Sequence, residues 1–151
     1  MRLMVQLVQK ASVEIDGRVN GAIEKGLLVL LGACESDTEE IADKMLKKLI
    51  NLRIFQDSEG KTNLSINDVS GDLLVVSQFT LYADCRKGNR PSFVKAGNPE
   101  HAKRIYEYFV NEARNTYSMR TETGEFGANM KVSLINDGPF TVMLDSDEIV
   151  K

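Results

Sequence analysis

The chain has 151 residues, 42% hydrophobic and 27% charged, the proportions of one ordinary globular domain. A formal net charge of −3 argues against a protein that coats itself with nucleic-acid phosphates, although a local basic patch could still grip one end of an RNA. No apolar run is long enough to span a membrane, and the start of the chain alternates like a strand instead of resembling a signal peptide, so a cytoplasmic protein with no membrane association is expected.

Met1 to Gln9 reads as a strand, with Leu3, Val5 and Leu7 on one face and Met4, Gln6 and Val8 on the other. Val13-Glu14-Ile15 and Val19 flank Asp16-Gly17, a hairpin signal. Leu27 to Leu31 reads as a buried strand. Ser36 or Asp37 is expected to cap a helix whose first turn carries Glu39 and Glu40. Ile41, Met45 and Leu49, with Ala42, Leu46 and Ile50 beside them, give that helix an apolar face ending near Leu52. Gln56 to Asn63 is polar, with a turn at Gly60.

Leu73 to Val76 is a second buried strand, running into Ser77-Gln78-Phe79-Thr80-Leu81. A loop from Asp84 to Phe93 follows. Asn98-Pro99 opens a second helix, with Ala102, Ile105, Tyr106, Phe109, Val110 and Ala113 facing inward. Met130 to Ile135 and Phe140 to Leu144 read as two closing strands. With no linker or repeat, the chain is expected to be a single domain over residues 1–151, an α/β fold with a mixed sheet and two helices on one side.

Three segments carry more polarity than the fold requires. Ser77 to Leu81 turns a wholly apolar strand half polar at its end; it is either a strand emerging into solvent or a site of the kind α/β proteins place at strand ends. Thr80 there reads as an orienting group, because a threonine nucleophile needs a nearby base. Asn136-Asp137-Gly138-Pro139-Phe140-Thr141 is made of turn formers and reads as a hairpin turn, or as a rigid Gly-Pro pair presenting main-chain groups to a ligand. Arg86, Lys87 and Arg90 surround Gly88 and Asn89, forming either a solvated face or a curl around a phosphate.

The usual catalytic sets are missing. The only histidine, His101, lies in a helical stretch without ligand partners, so no metal site and no Ser-His-Asp arrangement is expected; no P-loop or GxGxxG is present, and no cofactor is expected. The two cysteines, Cys34 and Cys85, have no CxxC partner and are expected to be reduced thiols. An enzyme built this way works through backbone groups, positioned water or help from its substrate.

Taken together, Ser77-Gln78-Phe79-Thr80-Leu81 and Asn136-Asp137-Gly138-Pro139-Phe140-Thr141 resemble the two signature motifs of the D-aminoacyl-tRNA deacylases. Leu52 to Phe55, Gly88 to Phe93 and Thr123 to Met130 extend the resemblance over essentially the whole chain. It implies a three-layer, dimeric fold and hydrolysis of the ester of D-aminoacyl-tRNA and of glycine mischarged on alanine tRNA, a proofreading role in translation. It also implies a homodimer in which Gly138 and Pro139, as a cis pair, enter the partner's pocket and exclude L side chains. Ser77, Gln78, Phe79 and Thr80 would then form the catalytic segment, Phe126 and Met130 would lie near the adenine, and Thr141 would belong to the selecting motif. Arg86, Lys87 and Arg90 would contact the RNA 3′ end, and the terminal 2′-OH would assist the chemistry. Two positions depart from the pattern: Leu7 stands where the family usually has an Arg that braces the Gly-Pro loop, with Arg2 as a replacement donor, and Phe140 stands where Val is commoner. A non-catalytic RNA-end or nucleotide-binding module on the same fold, and a hydrolase or racemase-like enzyme of free amino acids, are the competing readings.

Overall fold

The computed structural model describes residues 1–150. Strand β1 (Arg2–Ile15) turns at Asp16-Gly17 into β2 (Arg18–Ile23), which leads into β3 (Gly26–Gly32). Asp16 and Gly17 have φ of 50° and 76°, the positive pair required by a tight hairpin that follows the strand twist. β1 is longer than the sequence predicts, because the alternation that breaks after Gln9 resumes on the opposite face. Leu3, Val5 and Leu7 belong to one apolar cluster, and Val8, Ala11 and Val13 to a second. The switch falls where β1 places Val8 to Lys10 opposite only Asn136 and Ile135, making Gln9 the extra residue of a bulge.

Helix α1 (Glu39–Ile50) is capped by Thr38, whose hydroxyl accepts from the Ile41 amide at 3.3 Å, and not by Ser36 or Asp37. Asp37 has other partners: its buried carboxylate accepts from the Met1 amino group at 2.5 Å and from the Cys34 amide at 2.7 Å. The helix stops at Ile50, two residues before the predicted end. A small hairpin, β4 (Phe55–Gln56) and β5 (Thr62–Leu64), occupies the polar stretch. Next come β6 (Asp72–Ser77), a single 3-10 turn (Phe79–Tyr82), α2 (Pro99–Asn115), β7 (Thr121–Thr123), β8 (Lys131–Asp145) and a short α3 (Ser146–Ile149). The sequence predicts two helices; α3 is a third, and its Ile149 packs against the same cluster as α1 and α2.

The sheet is mixed. β1 pairs antiparallel with β2, β3 and β8, while β3–β6 and β6–β7 are parallel. It curls until β2 nearly meets β7, where the Asn20 side chain donates to the Thr123 carbonyl at 2.7 Å. Alternate residues of β3 and β6 enter different clusters: Leu27, Val29, Leu73 and Val75 face the helices, while Leu28, Leu74 and Val76 face the inside of the curl. The predicted strands at 130–135 and 140–144 are one strand, since β8 stays antiparallel to β1 on both sides of the Asn136–Thr141 motif. The turn formers there make an interruption within a strand and not a reversal of the chain.

Candidate active site

β6 is buried through Val76, and the amide of Gln78 donates to the Leu31 carbonyl at 2.7 Å as the chain leaves the sheet. The chain then winds into the Phe79–Tyr82 turn, not an extended strand. Gly32 allows this close approach, because a Cβ there would lie 2.9 Å from the Gln78 carbonyl oxygen. The turn borders a cavity of about 270 Å³. Ser77, Gln78 and Phe79 form one side, Phe126, Gly127, Ala128 and Met130 another, and Ala102 of α2 contributes as well. The carboxamide of Gln78 donates to the hydroxyl of Thr80, which lies exposed in the turn.

Tyr106 of α2 supports this corner. Its hydroxyl donates to the Val75 carbonyl at 2.8 Å, its ring lies 6.0 Å from that of Phe126, and burial pushes its phenol up to about 12. No side chain lining the cavity titrates near neutrality. His101 lies in the first turn of α2 with its amide bonded to Asn98 Oδ1 at 3.0 Å and is not among the cavity residues.

The second predicted segment lies elsewhere in the chain. Between the pairs Gln6–Thr141 and Val8–Asn136, β8 carries three more residues than β1, and these form an outward loop around Gly138 and Pro139. The peptide between them is cis. Gly138 has φ of 136°, a conformation L side chains rarely adopt, and a Cβ there would lie 2.9 Å from the Phe140 amide nitrogen. Asn136 clamps the loop shut: its amide donates to the carbonyls of Leu7 and Phe140, both at 2.9 Å, and its oxygen accepts from the Phe140 amide at 3.2 Å. From the sequence Asn136 reads only as a turn former, because its partner Leu7 is remote along the chain. Thr141 accepts from the Gln6 side chain at 3.3 Å.

The loop borders a separate cavity of about 180 Å³, shared with Leu7, Lys25 and Phe55. Within one chain, therefore, the structure does not bring Gly138 and Pro139 to the cavity of Ser77 to Phe79. Leu7 is buried, and Lys25 is the cation beside the loop. Arg2 is engaged elsewhere, donating to Asp145 and to the Leu81 carbonyl, both at 2.9 Å, with its guanidinium 4.7 Å from the Tyr82 ring centre.

The basic loop is a small hairpin closed by backbone bonds between Asp84 and Ser92, at 2.7 and 2.9 Å. Arg86 forms a forked ion pair with Asp84, which holds that carboxyl well below the usual carboxylate range. Lys87 and Arg90 have no acidic partner among the described residues. Phe93, just after the hairpin, lies edge-on to Phe79, with ring centres 5.1 Å apart and planes at 72°.

Known proteins share both the sequence and the fold. Residues 4–145 match the family described as D-Tyr-tRNA(Tyr) deacylase. The chain belongs to that family. Among its relatives, the D-aminoacyl-tRNA deacylase of Thermosipho melanesiensis is 55% identical over 149 residues, 99% of each chain. The one from Clostridium kluyveri is 52% identical, again over 99% of each. The solved structure of a protein named c-Myc DNA Unwinding Element Binding Protein superposes with a TM-score of 0.89 at 40% identity, covering 96% of this chain and 98% of the other. A probable eukaryotic D-amino acid tRNA deacylase shares the fold, with a TM-score of 0.83 at 18% identity, covering 95% of this chain and 97% of the other. Family membership makes the chain a hydrolase of the aminoacyl-ester class.

Proposed function

We propose that this protein hydrolyses the ester of D-aminoacyl-tRNA, releasing the amino acid and free tRNA, and that it also clears glycine mischarged on alanine tRNA. The observation that carries the reading is the separation within one chain of an open cavity at Ser77–Phe79 from a clamped Gly138–Pro139 loop. A second copy supplies the missing half. The loop lies on β8, an edge strand with Leu134, Ile135 and Met143 exposed, and such an edge favours pairing with another chain. In the homodimer, Gly138 and Pro139 of one protomer form a wall beside the α-carbon bound by its partner. An L side chain meets that wall; a D side chain or a hydrogen points away. Steric rejection of this kind discriminates more sharply than an added weak contact.

The terminal adenosine occupies the cavity against Phe126 and Met130. Ser77 and Gln78 hold the ester at the cavity edge, and Thr80 holds the Gln78 carboxamide in place. With no ionisable side chain among the cavity residues, proton movement falls to the 2′-OH of the substrate and to water. Water attacks the ester carbonyl carbon, the bond to the ribose 3′ oxygen breaks, and that oxygen takes up the proton. Lys87 and Arg90 contact RNA phosphates. Arg86, paired with Asp84, shapes the loop that presents them. The reaction takes place in the cytoplasm, where tRNA is charged.

The test is deacylation of D-Tyr-tRNA and L-Tyr-tRNA side by side, with free amino-acid esters as controls. Rapid release from the D form alone is expected. Equal release from both would remove the chiral wall, and turnover of the free esters would move the activity to small molecules. Sedimentation at micromolar concentration is expected to give a dimer; a monomer would overturn the shared site. The 40%-identical protein is named for binding DNA, which favours a second reading, a nucleic-acid-binding module without turnover. Binding of an RNA 3′ end with no release from either substrate would establish it.

A further inference from the structure

Phe79 and Phe93 are both unusually open for large apolar residues, 54% and 37% exposed, and Val94 beside them is 87% exposed. Phe79 is the only residue common to the cavity lining and this aromatic pair, so the patch begins where the cavity opens. Cations flank it along the chain. Lys87 and Arg90 occupy the hairpin that the Asp84–Ser92 bonds bring back to Phe93, and Lys95 follows two residues later. Asp84, at the base of the same hairpin, is already paired with Arg86. Aromatic faces next to free cations match the chemistry of single-stranded RNA, whose bases stack and whose phosphates need countercharge.

We propose that Phe93, held against Phe79, forms a stacking platform for the base that precedes the terminal adenosine, with Lys87, Arg90 and Lys95 holding the phosphates of that single-stranded end. The proposal rests on the deacylase reading for the identity of its occupant. It extends the site from one nucleotide to the single-stranded end and gives an acidic protein a means of favouring tRNA esters over free aminoacyl nucleosides. The edge-to-face contact fixes both rings at small entropic cost, because each is already ordered by the other.

Two synthetic esters provide the test: D-tyrosyl adenosine and D-tyrosyl CpCpA, both hydrolysed by the full-length protein. The wild type is expected to show a higher kcat/KM on the trinucleotide ester. In Phe93→Ala that advantage falls about tenfold, within the range of one stacked base, and Phe93→Trp restores it. Lys87→Ala with Arg90→Ala flattens the salt dependence on the trinucleotide only. The proposal is overturned if the wild type treats the two esters alike, if Phe93→Ala lowers both equally, or if Phe93→Ala sediments as a monomer, which would assign the pair to contact between copies. Absence of turnover on either ester or on D-Tyr-tRNA would sink the deacylase reading instead. Binding of unesterified CpCpA against adenosine then decides the platform on its own: a preference for CpCpA that Phe93→Ala abolishes supports it, and equal binding overturns it.

Discussion

The polar end of β6 and the interruption in β8 both break a regular strand, yet they are secured in opposite ways. At β6 the backbone leaves the sheet after one bond from Gln78 to Leu31, and the polar side chains that follow are open to solvent or to one another. In β8 a single part-buried amide, Asn136, engages both the neighbouring strand and the far side of the loop. Binding requires the first design, since a ligand must displace water from accessible groups. The exclusion proposed above requires the second, since a wall rejects only if it does not give way.

The contrast is sharpest at Gly138. Gly138→Ala adds a methyl group 2.9 Å from a backbone nitrogen at φ of 136°, so the loop must shift. We expect rejection of L-Tyr-tRNA or activity on D-Tyr-tRNA to fall about a hundredfold, the cost of misplacing a positioning group by roughly an ångström, while circular dichroism remains that of the wild type. Global unfolding with unchanged selectivity in the surviving fraction would return the loop to a merely structural role. Asn136→Ala removes three hydrogen bonds and leaves the Leu7 carbonyl without that donor. It is expected to lower stability by about 1–3 kcal/mol and D-over-L selectivity about tenfold, read by denaturant unfolding and paired deacylation assays. Selectivity equal to wild type at reduced stability would show that the loop does not need its clamp.

The smaller effects belong to the open side. Thr80→Ala loses one neutral hydrogen bond to Gln78, so kcat is expected to remain within about fivefold of wild type. Complete loss of turnover with intact substrate binding would make Thr80 a reacting group. His101→Asn is expected to change neither kcat nor its pH profile, because the imidazole is not part of the cavity. Loss of an inflection near neutral pH in this variant would give the histidine a chemical role after all.

Local features are legible in the sequence, and long-range ones are not. Asp16-Gly17 and Asn98-Pro99 carry their conformations in their own covalent structure, so the hairpin and the second helix follow from composition. Asp37 has the chemistry of a helix cap, but the Met1 amino group, 36 positions away, engages its carboxylate. Asn-Asp-Gly-Pro suits a hairpin and a mid-strand loop equally well; only the ladder to β1 distinguishes them, and a ladder partner is not a local property. The motif at Ser77 to Thr80 is visible as polarity in the wrong place. Phe93 is not, because an aromatic residue in a loop has no meaning until its neighbour is known.

Because the Gly138–Pro139 loop is bracketed on both sides by pairing with the same strand, it behaves as a parenthesis in β8. The registers before Asn136 and after Thr141 are set by pairs that lie outside it. On the reading proposed above, the fold thereby separates its frame from its selectivity filter, and the stereochemical rule lies in a segment outside the regular pairing of the sheet.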